Sequence, residues 1–234
     1  MSAIHEEREF NKKGVIAQLT NDQSVGLRIR NKAGLSVTSV TVTTATDITL
    51  IDSAGTTAVD WATYTTMGAV ADKINSTTSW ECKLLDVERS LTPVNALVTG
   101  VVSAAVVEGV GGVYDAKLDT SAALRYAYCL TPNRAVGKEA AKGKKVVAKK
   151  FNYALNVGTA AAASVLVIKR KGTVEETILS VASVDTTGTT VFDVSSAANF
   201  AGLTADNDAE LLFVVKDAGS IADAGLLEVW GEVL

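Results

Sequence analysis

The stretch from Phe151 to Leu234 constrains the fold more than any other part of the chain. FNYALNVG, SVLVIKRKG, EETILSVASV, TTVFDVSS, AELLFVVKD and GLLEVWGEVL are short apolar–polar segments separated by Gly, Asp, Asn and Ser. Alternation at period two gives a strand one apolar face, and short turns bring successive strands together antiparallel. Residues 151–234 are therefore expected to form an antiparallel β-sandwich or barrel. Within them, KRKGTVEET reads as a hairpin turn whose glycine supplies a backbone angle that other residues avoid. The closing strand carries Leu227, Val229 and Val233 around Trp230, and a chain ending on Leu234 is expected to have that end in a sheet or an interface.

The rest of the chain is β-rich too, with one helical interruption. SVGLRIRN places Val25, Leu27 and Ile29 on one face, and SVTSVTVTTATDITLIDSAG alternates until a glycine-containing turn. In YTTMGAVADKINSTTSW, Thr65 or Thr66 can cap a short helix over 66–76. Met67, Val70, Ala71 and Ile74 would form its buried stripe, and Asn75–Ser76 its exit. WECKLLDVE follows as a strand, giving a strand–helix–strand element. The run ALVTGVVSAAVVEGVGGV (96–113), broken by Glu108 and glycines, is too interrupted to span a membrane and reads as buried strand, turn and strand. SAALRYAYCLTPN reads as a strand ending before Pro132, with Leu124, Tyr126 and Tyr128 alternating with Arg125 and Ala127.

These readings give four zones: an arm over 1–23 with VIAQL as a possible short strand, a β-rich α+β domain over 24–133, a basic connector over 134–150, and a β-sandwich domain over 151–234. The fold class is mainly β with a small α+β element. A composition of 47% hydrophobic, 6% aromatic and 21% charged residues is that of a globular chain, in which small β-branched side chains do most of the packing. The start, MSAIHEEREFNKKG, has no apolar core of a signal peptide, so synthesis and folding inside a cell are expected.

Catalytic chemistry leaves few traces. The single histidine, His5, lies in the charged arm, where a nucleophile–His arrangement would lack a scaffold. Cys82 and Cys129 with one histidine cannot make a four-ligand zinc site and read as buried small hydrophobes. EGVGGVYD lacks the spacing of a dinucleotide loop and the Gly-Lys of a phosphate loop, and reads as a turn or close-packed bend between strands. Asp47, Asp52 and Asp60, like Asp206 and Asp208, read first as loop caps, with a weak divalent-ion site or a catalytic acid pair as alternatives. Trp61, Trp80 and Trp230 are expected in a core or an interface. No catalytic set, cofactor or metal is expected.

The basic stretch 137–152, GKEAAKGKKVVAKKFN, stands out in a chain of net charge -4. Seven cations run from Arg134 to Lys150, among them Lys142, Lys144, Lys145, Lys149 and Lys150. It reads as a loosely extended connector: a solvated face, a contact for an acidic protein surface, or a non-specific phosphate contact, this last the least favoured because no aromatic residues interleave. These lysines, with Trp230 and Leu234, are the candidate interface residues.

TDITLIDSAGTTAVDWATYTTMGAVADKINSTTSWECKLLD (46–86) carries a resemblance. With its strand, short GAVADKIN helix and strand, and in its Thr/Val-rich style, it resembles small domains of tailed-bacteriophage virion proteins, the head-decoration, head–tail and tail subunits. That resemblance implies a capsid decoration or auxiliary subunit acting by symmetric assembly with itself and other virion proteins. It further implies a place in a particle assembled in the host cytoplasm, and neither cofactor nor membrane. A surface carbohydrate- or protein-binding adhesion module is the alternative.

Overall fold

The computed structural model describes residues 13–20, 25–32, 35, 37–103, 113–119, 125–131, 145–155, 163–184, 188–193, 204–205, 209–216 and 226–233. In chain order the elements are β1 (Lys13–Thr20), β2 (Val25–Asn31), β3 (Val37–Thr43), β4 (Asp47–Asp52), β5 (Gly55–Asp60), α1 (Met67–Asn75), β6 (Trp80–Leu84), β7 (Gly100–Ser103) and β8 (Tyr114–Lys117). They continue with β9 (Arg125–Leu130), β10 (Val146–Leu155), β11 (Ala163–Lys171), β12 (Val174–Val184), β13 (Gly188–Asp193), β14 (Thr204–Ala205), β15 (Glu210–Lys216) and β16 (Leu226–Val233). The fold is mainly β with one small α+β element, and its sheets are antiparallel. Two compact units result: Ser24–Ala123, and Met1–Gln23 together with Leu124–Leu234.

The Ser24–Ala123 unit holds two sheets, ordered β6-β2-β8 and β5-β4-β3-β7. Both turn alternate residues into one core, which contains Leu27 and Ile29 of β2, Val40 and Val42 of β3, and Ile48 and Leu50 of β4. In β4 the alternation is strict, with Ile48, Leu50 and Asp52 buried and the residues between them half-buried. Each such Leu, Ile or Val contributes roughly 1.5–3 kcal/mol by leaving water. The expected helix forms where Met67, Val70, Ala71 and Ile74 share a face, and all four are buried in the same core.

The ends of α1 are satisfied from within the unit. Thr66 is its N-cap and accepts the Ala69 amide at 3.2 Å, while the Met67 and Gly68 amides each donate to the carbonyls of Leu91 and Arg89 at 2.8 Å. The helix N-terminus is thus filled by protein and offers no open donors to an anion. Segment 85–91 meanwhile runs on from β6, with the Leu85 and Asp86 amides donating to the Gly26 and Val25 carbonyls.

The run read as buried strand, turn and strand is covered only in part. Ala96 and Leu97 are buried, but Val98 and Val101 are exposed. β7 pairs with β3 so that Gly100 and Val102 stand opposite the core positions Val42 and Val40, which turns Val101 outward beside Thr41. An apolar run at period two leaves one set of side chains in water when only one face of its sheet is covered. Residues 104–112, including the glycine-rich string, lie outside the described residues.

The other unit holds a sheet ordered β1-β16-β10-β13, with β14 also on β10, and a second ordered β12-β11-β15-β9. Its makeup departs from the zones read in sequence. The N-terminal segment supplies β1, which pairs along β16, and β9 joins this unit through β15. β10 begins at Val146, so the last five residues of the 134–150 connector are strand, flanked on both sides. Val146 and Ala148 are fully buried, a period-two pair hidden among lysines, and that pair decides the matter against their charge. In β9, Ala127 and Cys129 enter one core with Ile168, Leu212 and Val214, and on the other face Tyr128 and Leu130 are buried as well. The β11–β12 turn is Gly172–Thr173, where Gly172 takes φ +59°, the positive angle that its hairpin needs at the first turn position.

Candidate assembly surface

A sheet edge is an open row of amides and carbonyls unless something covers it or charges guard it. Among the described residues, the Ser24–Ala123 unit has four such edges: β6, β8, β5 and β7. The β6 edge is met by α1, where the Asn75 side chain exchanges two hydrogen bonds with the Cys82 backbone. β6 also carries Glu81 and Lys83, with Glu81 paired to Arg30 of β2. Along β8, segment 96–98 adds a Leu97–Leu118 bridge, and the Val98 amide donates to Lys117 O at 3.0 Å. Asp115 of β8 takes a bidentate contact from Arg28 at 2.6 and 2.7 Å. Helix α1 also packs against β5, whose end bears Asp60.

β7 is different. Among the described residues it pairs only with β3, and its sequence GVVS contains no charge, proline or bulge. Three exposed large apolar side chains belong to β7 and the segment that leads into it: Val94, Val98 and Val101 are 43%, 45% and 69% exposed, and among the described residues only Val174 joins them. The outer face of its sheet is small and nearly uncharged, with one row reading Val101–Thr41–Thr49–Ala58 across the four strands.

The approach to β7 is held by a hub at Thr44. Its carbonyl accepts the Asn95 amide at 2.8 Å and the Trp61 indole N–H at 3.1 Å, while its amide donates to Thr99 Oγ1 at 3.2 Å. Asn95 takes the left-handed conformation, φ 57°, in a turn closed by the Ala96 amide on the Pro93 carbonyl, and this presents Val94 outward. The valines thus stand on a fixed frame.

Asp52 and Asp60 of this unit serve as caps of turns. Asp52 accepts the Ala54 amide at 2.9 Å and Asn31 Nδ2 at 3.2 Å. Asp60 accepts the Thr63 amide at 2.8 Å, and this bond, with a second from the Thr63 side chain, holds its carboxyl below the usual range. Trp61 and Trp80 are buried in the core, as expected. Cys82 and Cys129 are both buried thiols, and burial, reinforced by Asp72 and Glu81, pushes the Cys82 thiol up to about 12.

The other unit holds a buried charge cluster that sequence reasoning did not single out. Arg170 of β11 stands opposite Glu175 of β12 and Glu210 of β15. Its Nε lies 2.8 Å from Glu175 Oε1 and its Nη1 3.6 Å from Glu210 Oε2, and the Cys129 thiol donates to Glu210 at 3.4 Å. Three strands are locked in register there, around a cation that is 4% exposed. Among the described residues no group of three or more His, Cys, Asp or Glu could hold a metal ion, and no helix is long and apolar enough to cross a membrane.

The candidate interface residues that are described belong to this same unit and not to the one that holds β7. Lys145 is exposed just before β10, Lys149 and Lys150 lie in β10, and Trp230 lies in β16 opposite Val15 and Lys150. Lys142, Lys144, Leu234, His5, Asp206 and Asp208 lie outside the described residues. What the sequence reading missed was the β7 edge; its signal was the uncharged run from Ser90 to Val107. No family model matches the chain, and neither a curated protein nor a solved structure does.

Proposed function

We propose that this chain is a non-enzymatic structural subunit that works by symmetric assembly, in the manner of the decoration and auxiliary proteins of tailed-bacteriophage virions. The observation that carries the assembly reading is the β7 edge, uncharged and flanked by exposed Val94, Val98 and Val101. A soluble monomer gains nothing from such an edge, whereas a subunit that meets copies or a lattice covers it. The virion reading rests on the sequence style of 46–86, whose strand–helix–strand expectation corresponds to β5, α1 and β6. Lys142, Lys144, Lys145, Lys149, Lys150, Trp230 and Leu234 are carried in the same proposal as contacts of the other unit with virion proteins, and a nucleic-acid contact is not favoured.

Mass in solution tests it, measured by sedimentation over a wide concentration range, together with electron microscopy of particles incubated with the protein. Defined oligomers or regular decoration of a particle are expected. A strict monomer that associates with no particle overturns the reading and leaves the adhesion module in its place.

A further inference from the structure

We infer that β7 is a two-fold docking edge, on which a second copy of this chain pairs β7 to β7, antiparallel, so that two four-stranded sheets β5-β4-β3-β7 join into one of eight strands. The inference rests on the assembly reading and names the partner it leaves open.

Three observations select a second copy. First, among the described residues β7 pairs only with β3, and the groups along its other side are main-chain amides and carbonyls, which an extended strand satisfies and a globular side-chain surface does not. Second, a two-fold axis brings each residue near its own counterpart, so any charge at the edge would meet a like charge. The sequence is uncharged from Ser90 to Val107, while β6 carries Glu81 and Lys83 and β8 carries Asp115 and Lys117. Among the described edges of this unit β7 is the one with no charged residue, since β5 ends on Asp60. Third, Val101 points to the outer face, 69% exposed, and pairing would place apolar surface against it.

Parity fixes the contact further. Residues directly opposite in an antiparallel pair share a face. Around a two-fold axis normal to the sheet, Val101 therefore stands opposite either the Val101 or the Ser103 of the other copy. Either arrangement keeps the two Val101 side chains within about 8 Å, close enough for charges placed there to interact.

The test uses the full chain as wild type, Val101→Lys, Val101→Glu and an equimolar mixture of the two variants, followed by sedimentation velocity, with near-ultraviolet circular dichroism to check each fold. Each variant alone is expected to associate about tenfold more weakly or worse, because like charges face across the axis, and the mixture to recover association. In the wild type, the amides of β7 that point away from β3 are expected to gain hydrogen-exchange protection as concentration rises, an arm that needs no variant. Unchanged association in both variants, or exchange at these amides that ignores concentration, overturns β7 pairing and leaves assembly through another surface. Loss in both variants without recovery in the mixture overturns the two-fold geometry. A wild type that never associates and decorates no particle overturns this inference and the assembly reading together.

Discussion

The side chain of Asn75 and the backbone of Cys82 exchange two hydrogen bonds, Nδ2 donating to the Cys82 carbonyl and Oδ1 accepting the Cys82 amide, each 2.8 Å. The amide group takes the place of a neighbouring strand, so the last residue of α1 closes the outer edge of β6. Truncation to Asn75→Ala leaves a part-buried donor and acceptor without that partner and is expected to cost about 1–3 kcal/mol. Chemical denaturation measures this directly. A cost under about 0.5 kcal/mol would mean that water takes over both bonds and that the edge is less closed than its geometry implies.

Cys82 itself lies behind that closure. Its thiol is held up at about 12, chiefly by burial, so at pH 8 only on the order of one molecule in ten thousand carries the reactive thiolate. Native protein is expected to resist iodoacetamide at Cys82, which alkylates only on unfolding, with mass spectrometry as the readout. The sign for stability follows from the raised value. The contribution of the neutral thiol is fully present below the ordinary thiol range, near 8.5, and is lost as pH rises from there towards 12. Rapid labelling of native protein at pH 8 would show the β6 edge opening frequently.

Gly68 is a helical glycine with a packing reason. A Cβ there would lie 2.9 Å from Arg89 Cβ and 3.1 Å from its Cζ and Nε, and Arg89 is itself held by an ion pair to Asp72 and by Nη2 on the Gly68 carbonyl at 3.4 Å. Alanine normally gains about 1 kcal/mol over glycine inside a helix. Gly68→Ala is expected to reverse that sign and destabilise by about 1–2 kcal/mol, because the near contact is with the root of Arg89 and not its mobile end. Thermal melting decides it, and a raised Tm would show that segment 89–91 shifts away at little cost.

Local patterns were legible where one physical signal dominated. The α1 stripe of Met67, Val70, Ala71 and Ile74, a cap at Thr65 or Thr66 and the alternation of β4 all follow from spacing, and the structure carries the stripe and the alternation and sets the cap at Thr66. Strand partners were not legible, because pairing is decided by tertiary register: nothing in KGVIAQLT names β16 as its neighbour. The burial of Arg170 was not legible either, because the two carboxylates that face it come from neighbouring strands. Charge misled at the connector, where the lysines around Val146 and Ala148 concealed the start of β10. The β7 edge was concealed for the opposite reason, since an apolar run read on its own looks like core until the sheet shows which face is uncovered.

Arg170 gives the strongest test of the larger unit. It is 4% exposed, with Glu175 Oε1 2.8 Å from its Nε and Glu210 Oε2 3.6 Å from its Nη1, and the three residues face one another across β12, β11 and β15. They end the same face of the sheet that holds Ile168, Leu212 and Val214. Taking the cation out strands two carboxylates beside an apolar layer, so Arg170→Met alone is expected to cost about 3–5 kcal/mol. Replacing the acids as well, as Glu175→Leu and Glu210→Leu in the same chain, removes the stranded charges and is expected to return most of that loss, because a buried ion pair and a well-packed apolar set are close in energy. Urea denaturation of wild type, the single variant and the triple variant gives the three values on one scale. A single-variant cost below about 1 kcal/mol would place these carboxylates in contact with water, whereas a triple variant as unstable as the single one would show that the cluster holds the register of three strands through its hydrogen bonds, which leucine cannot supply.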